Sequence, residues 1–233
     1  MRRVEQIMGI PISIDIPECE NEPVFSEVFA RLREIDGRFS TYKPESEVSR
    51  FAAGKIAQND LSQEVKDVIK ACQSAEEKTD GYFSAWAAGA FDPSGYVKGW
   101  AIAEAGKVIE KHGYKTYCIG AGGDVLAHSD TDKVWNIGIQ DPRDKSKILN
   151  KLSISNEAVC TSGSYERGAH IINPKTKKPA NRLLSVTVVG PDIIWADILA
   201  TAVFASGKSQ IKFMEDFQIK GYKLLTVIAE QNR

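Results

Sequence analysis

The stretch from Ala158 to Pro174, A-V-C-T-S-G-S-Y-E-R-G-A-H-I-I-N-P, restricts the fold more than any other part of the chain. Its two apolar runs, Ala158 to Cys160 and Ala169 to Ile172, are short and bounded by turn residues, so both read as strands. Between them Thr161-Ser162-Gly163-Ser164 reads as a small polar loop. Its hydroxyls, and a glycine that permits close backbone approach, can present N–H and O–H donors to an anion. His170 enters the second run beside two isoleucines, and Asn173-Pro174 turns the chain.

Runs of the same kind recur on both sides. Lys115 to Ala127 reads as a strand, a glycine-rich hinge and a second strand. Val134 to Gln140 alternates, Asp141 to Asp144 is a turn, and Lys147 to Ser155, Leu183 to Val189 and Tyr222 to Ala229 are further strands. Val4 to Ile16 is a strand that Met8-Gly9 interrupts, as a bulge or a point of close approach. Helical spacing appears at the two ends. Pro23 to Phe39 carries a stripe of Val24, Phe25, Val28, Phe29, Leu32 and Ile35. Ser46 caps a short helix, and Ser62 caps another that runs to Lys78 with Val65, Val68, Ile69 and Cys72 facing inward. A helix begins near Asp92 and Ser94 and stops at Gly113; one from Asp192 stops at Gly207; Ser209 to Gln218 is a short helix. The expected class is α+β, a mostly antiparallel central sheet flanked by helices. The expected organisation is one domain over 1–233, with two lobes and a cleft between them as the open variant.

Composition excludes several functions. A formal net charge of −1 leaves no electrostatic footprint for nucleic acid. No apolar run can span a bilayer, and the first residues lack a signal-peptide core, so a cytoplasmic protein with no membrane anchor is expected. Cys19, Cys72, Cys118 and Cys160 contain no C-x-x-C pair and read as reduced, buried thiols. His112, His128 and His170 offer no zinc-type spacing. The G-A-G-G-D of residues 120–124 runs on into a strand, so it is neither a dinucleotide fingerprint nor a phosphate loop.

Four residues are candidates for the chemistry. Asp197 and Thr201 lie four apart on one helix face and are hard oxygen ligands of the kind that suit Mg²⁺. Asp197 sits in an apolar run, so it is either buried with a partner or on a solvent-facing edge. Lys98 falls in the first turn of its helix, where a cation opposes the macrodipole; it either holds an anion or is solvated, and solvation is the simpler reading. Tyr42, beside Pro44, reads as a packing residue or a pocket-rim aromatic, with packing favoured.

Taken in order, these segments resemble the ApbE-type FAD:protein FMN transferases. Asp92 to Ala101 is similar to the family's D-x-x-x-x-a-K-G-x-a signature. Met8-Gly9, Phe39 to Ser46, Ile119 to Val125, Val159 to Glu166, His170 to Pro174 and Ala196 to Thr201 resemble its other motifs, over nearly the whole chain. The resemblance implies an enzyme that binds FAD with Mg²⁺, cleaves the pyrophosphate, links FMN through a phosphodiester to a Thr or Ser of an acceptor protein, and releases AMP. It implies that Gly95 (through its carbonyl), Asp197 and Thr201 hold the metal. Met8, Tyr42, Asp92 and Lys98 would contact FAD, Tyr82 and Phe83 would line the same cleft, and Thr161, Ser162 and Gly163 would lie against the phosphates. His170 would be the base. The chain departs from the pattern at Ser94 to Val97, at Ser84 and at Asn173, where Asp is usual. Two other functions remain open at this point: an Mg²⁺-dependent FAD pyrophosphatase, and a flavin-binding or storage protein.

Overall fold

The computed structural model describes residues 1–20, 22–164, 171–208, 213 and 220–229. His170 and nearly all of the helix expected at Ser209 to Gln218 lie outside the described residues.

The chain opens with a hairpin, β1 (Arg2–Ile7) against β2 (Ile10–Asp15). Met8 and Gly9 form its two-residue turn, with φ of 58° and 72°. The interruption is therefore a hairpin turn, since two successive positive φ values match the twist of antiparallel strands. Along β2, Ile10, Ile12 and Ile14 are buried and alternate with more exposed neighbours. Four helices follow: α1 (Glu22–Phe39), α2 (Glu47–Ala52), α3 (Gln63–Lys78) and α4 (Ser94–Lys111). The whole expected stripe of α1 is buried, and Phe39 with it. Ser46 and Ser62 cap α2 and α3, accepting hydrogen bonds from Ser49 N (3.0 Å) and Val65 N (3.4 Å).

β3 (Tyr117–Ala121) and β4 (Asp124–His128) form a second hairpin around Gly122 and Gly123, both at positive φ. Then come β5 (Trp135–Asp141) and β6 (Asp144–Ile154), β7 (Ala158–Gly163), and a short pair, β8 (Ile172–Asn173) and β9 (Lys178–Pro179). β10 (Leu183–Gly190), α5 (Ile193–Ser206) and β11 (Lys223–Ile228) complete the described elements. Seven strands make one sheet in the order β1-β2-β3-β4-β7-β10-β11, antiparallel at every pairing. Among the described residues β5 and β6 pair only with each other.

Both faces of the middle of this sheet are covered. Ala158 and Cys160 of β7, with Val186 and Val188 of β10, join the helices in the main core. Val159 points the other way and packs with Ala127, Ile139 and Ile154 under the β5–β6 hairpin. A strand buried on both sides loses its alternation, which is why Ala158-Val159-Cys160 is continuously apolar. β7 also runs further than the sequence suggests. Thr161, Ser162 and Gly163 pair with Thr187, Val186 and Ser185, so they are strand residues and not a loop. The Thr161 and Thr187 hydroxyls lie 2.9 Å apart, a cross-strand pair that satisfies both.

α5 is apolar on all sides and packs between α4 and the β7–β10 pair. Asp192 caps its start by accepting a hydrogen bond from Trp195 N (2.8 Å), and Gly207 ends it at φ 60°. Burying side chains such as Ile198, Leu199, Val203 and Phe204 contributes about 1.5–3 kcal/mol each. That anchorage fixes Asp197 and Thr201, which α5 carries. Among the described residues no helix is long and apolar enough to cross a membrane.

Candidate functional site

The site is built where α4 meets α5. Gly99 makes the approach possible: a Cβ there would fall 3.0 Å from Ile193 O and 3.1 Å from Asp197 Cβ. With no side chain in the way, Gly99 N donates to Asp197 Oδ2 at 3.0 Å. Asp197 is buried, which removes the solvent-edge alternative. Its other oxygen, Oδ1, lies 3.6 Å from Lys98 Nζ. Lys98 does not extend into solvent as the simpler reading held. Its Nζ sits 2.6 Å from Asp124 Oδ2, and α4 aims it inward because two carboxylates outweigh the macrodipole. Asp124 is fully buried and its Oδ1 accepts from Thr161 N at 3.0 Å. Oδ2 has charge pairing with Lys98 but no donor aligned to it as a hydrogen bond among the described residues.

Two carboxylates thus share one ammonium. Burial pulls Lys98 toward its neutral form, but Asp124 and Asp197 outweigh that and hold its pKa above the ordinary lysine value. Burial pushes Asp197 up to about 7; Lys98 opposes this and Asp124 adds to it. Cys160 lies close by on β7, and burial raises its thiol pKa well above the ordinary value, so it is an inert core residue.

Thr201, one turn along α5, places Oγ1 3.2 Å from Ser162 Oγ. Gly95 faces it: a Cβ on Gly95 would lie 3.7 Å from Thr201 Oγ1 and 3.2 Å from Phe83 Cε2. Gly95 of α4 thus faces Thr201 of α5, and both line the same cavity as Asp197. The described residues contain no group of three or more His, Cys, Asp or Glu side chains placed to hold a metal ion. What the site offers a cation is hard oxygen, the Asp197 carboxylate and the Thr201 hydroxyl, beside two buried carboxylates that share a single ammonium.

This cluster opens into a cavity of about 400 Å³. Met8, Tyr42, Tyr82, Phe83, Asp92, Gly95, Lys98, Thr161, Ser162, Gly163, Asp197 and Thr201 all line it. His170 lies outside the described residues. The liners differ in kind. Tyr42 is 86% exposed at the rim, so it is not a packing residue. Phe83 is buried, whereas the Tyr82 ring is partly open with Lys175 Nζ 4.3 Å from its centroid. Asp92 Oδ1 accepts from Ser94 N (2.9 Å) and Ser94 Oγ (2.5 Å), shaping the entry to α4. Thr161 gives its N–H to Asp124, so that donor is not offered to an anion. Gly163, two residues on, points its N–H to the same edge of β7.

Sequence reasoning missed Gly99, Asp124 and the β5 wall of Ile137 to Gln140. Gly99 stands in a helix interior, where glycine costs stability unless a close approach needs it, and that was a usable signal. Asp124 follows a Gly-Gly turn in an otherwise apolar hairpin. The β5 wall had no local signal, because it depends on where the hairpin folds over the sheet.

An antiparallel sheet, a close helix pair and a buried lysine–carboxylate cluster opening into a ligand-sized cavity define an α+β protein with a preformed binding cleft. The same architecture occurs in an ApbE protein from Thermotoga maritima, at TM-score 0.84 and 23% identity over 98% of this chain and 94% of that one. It also occurs in the flavin transferase ApbE from Vibrio cholerae, at TM-score 0.80 and 21% identity over 97% and 96%. The ApbE family profile matches residues 8–90 and 87–222, and the chain belongs to the ApbE family. Among curated relatives, the FAD:protein FMN transferase of V. cholerae is 31% identical over 131 residues, 51% of this chain and 39% of that protein. That of Escherichia coli K12 is 29% identical over 133 residues, 52% and 38%. The matched segments thus span about half of this chain and under half of the relatives' length.

Proposed function

We propose that this protein is an Mg²⁺-dependent FAD:protein FMN transferase, with residues 1–233 acting as one catalytic unit. The observation that carries the reading is the convergence of Lys98, Asp197 and Thr201 on one cavity that also has an exposed aromatic, Tyr42, at its mouth. A flavin dinucleotide needs that combination: a flat surface for the ring, and positive charge for the diphosphate.

Asp197, Thr201 and the Gly95 carbonyl would hold the cation. When bound, Mg²⁺ would offset the charge of the diphosphate. Lys98 adds a second positive charge to the same site, and Asp197 and Asp124 keep it protonated. Ser162, hydrogen-bonded to Thr201, fixes the hydroxyl's orientation. Tyr42, Met8 and Tyr82 would hold the rest of FAD, with Phe83 packed behind. In the reaction the acceptor Thr or Ser oxygen bonds to the FMN phosphorus as the bond to the AMP oxygen breaks. His170 takes the hydroxyl proton, since a hydroxyl is a poor nucleophile until a base removes it.

Incubation with FAD, Mg²⁺ and a Thr-containing acceptor domain tests the proposal. A fluorescent, covalently labelled protein band together with AMP is the expected result. AMP without a labelled band makes water the nucleophile and the protein a pyrophosphatase. Neither product leaves a flavin-binding or storage protein. His170→Ala is expected to slow transfer by roughly 10²–10⁴-fold while leaving FAD affinity unchanged; wild-type turnover would remove His170 from the mechanism.

A further inference from the structure

Asp124 does not line the cavity, yet it contributes to the charge balance of the cluster beneath it. It is fully buried at the start of β4, directly after the Gly122-Gly123 turn. Its two oxygens do different things. Oδ1 accepts from Thr161 N, tying the β4 hairpin to β7 beyond the last paired residues of those strands. Oδ2 lies 2.6 Å from Lys98 Nζ, nearer than the 3.6 Å between that nitrogen and Asp197 Oδ1. Lys98 is therefore drawn mainly to Asp124. If Asp124 were neutral, Asp197 would be the only carboxylate paired with the lysine, and any cation approaching Asp197 would have to displace a full ion pair.

We propose that Asp124 is a positioning residue that holds Lys98 off Asp197 and so leaves that carboxylate available to a divalent cation. The inference rests on the metal site proposed above. Asp124 acts by engaging the competing ammonium. It touches neither the cation nor FAD.

Asp124→Asn separates this role from a structural one. The amide has the same shape, and its oxygen can still accept from Thr161 N, so the β4–β7 tie is kept. Its NH₂ then faces the ammonium of Lys98, which drives the lysine onto Asp197. The probe is Mg²⁺ or Mn²⁺ alone, without FAD. Thermal unfolding midpoints are followed as the ion is titrated at about pH 8. The expected result is an apparent cation affinity weakened by roughly tenfold or more, with the ion-free midpoint close to that of the wild type. In a Lys98→Met background the same substitution should have a much smaller effect, because Asp124 acts through the lysine. Asp124→Glu, which keeps the charge, should retain most of the affinity. Asp124→Ser, small enough to fit without strain, carries the same expectation as Asn if the amide prevents folding.

Wild-type cation affinity in Asp124→Asn overturns the inference and leaves the metal site standing. An equal loss in the Lys98→Met background, or a loss in Asp124→Glu as large as in Asp124→Asn, assigns the effect to packing and overturns it too. A wild-type protein with no response to either ion overturns the metal site and this inference together.

Discussion

At the scale of single residues, exposure and crowding separate ligand contacts from scaffold. Tyr42 is almost free of protein contact at the cavity mouth. Tyr42→Ala should leave stability within about 0.5 kcal/mol but weaken FAD binding by about 0.5–1.5 kcal/mol, read from flavin fluorescence titrations beside urea unfolding. Gly99 is the opposite case. Gly99→Ala puts a methyl group against Ile193 O, Ile194 Cα and Asp197 Cβ, none of which can swing aside. It should cost about 1–3 kcal/mol in urea unfolding and lower cation affinity, because the N–H that orients Asp197 moves with α4. The sequence disclosed these residues unequally. The spacing of Asp197 and Thr201 on one helix face was readable, since it follows from helical geometry alone. The inward course of Lys98 was not, because the carboxylate that draws it most closely, Asp124, belongs to a hairpin and not to its own helix.

At the scale of elements, caps and apolar stripes made the helices legible, and the strands were legible where one or both faces were apolar. The end of β7 was misread because Thr161, Ser162 and Gly163 look like a loop until β10 lies beside them. Whether a hydroxyl-rich segment pairs depends on its neighbour, and a single sequence does not supply the neighbour. Asn173 is a second case. It departs from the Asp usual in the family, and the fold gives that amide a use: Nδ2 donates to Ala205 O at 2.8 Å, near the end of α5. Its Oδ1 accepts from Lys175 N and Thr176 N, which fixes the orientation of the amide. Asn173→Asp would remove the donor and bring a negative charge to the negative end of the helix. The expected cost is about 1–3 kcal/mol in chemical denaturation, with Asn173→Ala costing less because it brings no charge.

For the molecule as a whole, the shared lysine couples folding to pH. Asp197 keeps its proton up to about pH 7 in the folded state, against an ordinary value of 3.8. Between those values the folded chain binds more protons than the unfolded chain, so stability falls as pH rises through this window and levels off above it. The raised Lys98 pKa has the same sign, since the folded chain again holds its proton longer, but it matters only at strongly alkaline pH, above the ordinary lysine value. A divalent cation would compete with the Asp197 proton. Excess Mg²⁺ should therefore raise the unfolding midpoint more at about pH 8 than at about pH 5, a comparison that calorimetry in EDTA and in Mg²⁺ can make. An equal increment at both values would separate Asp197 from the cation. The strand order carries one more implication. β4 and β7 are immediate partners in the large sheet, and the whole of β5 and β6 is spliced between them along the chain. That excursion supplies Ile137 to Gln140 to one side of the cleft while taking no part in the main ladder. Evolution or an engineer could lengthen, trim or recolour this flap and so alter which molecules fit, without changing the strands and helices that carry the lysine and carboxylates.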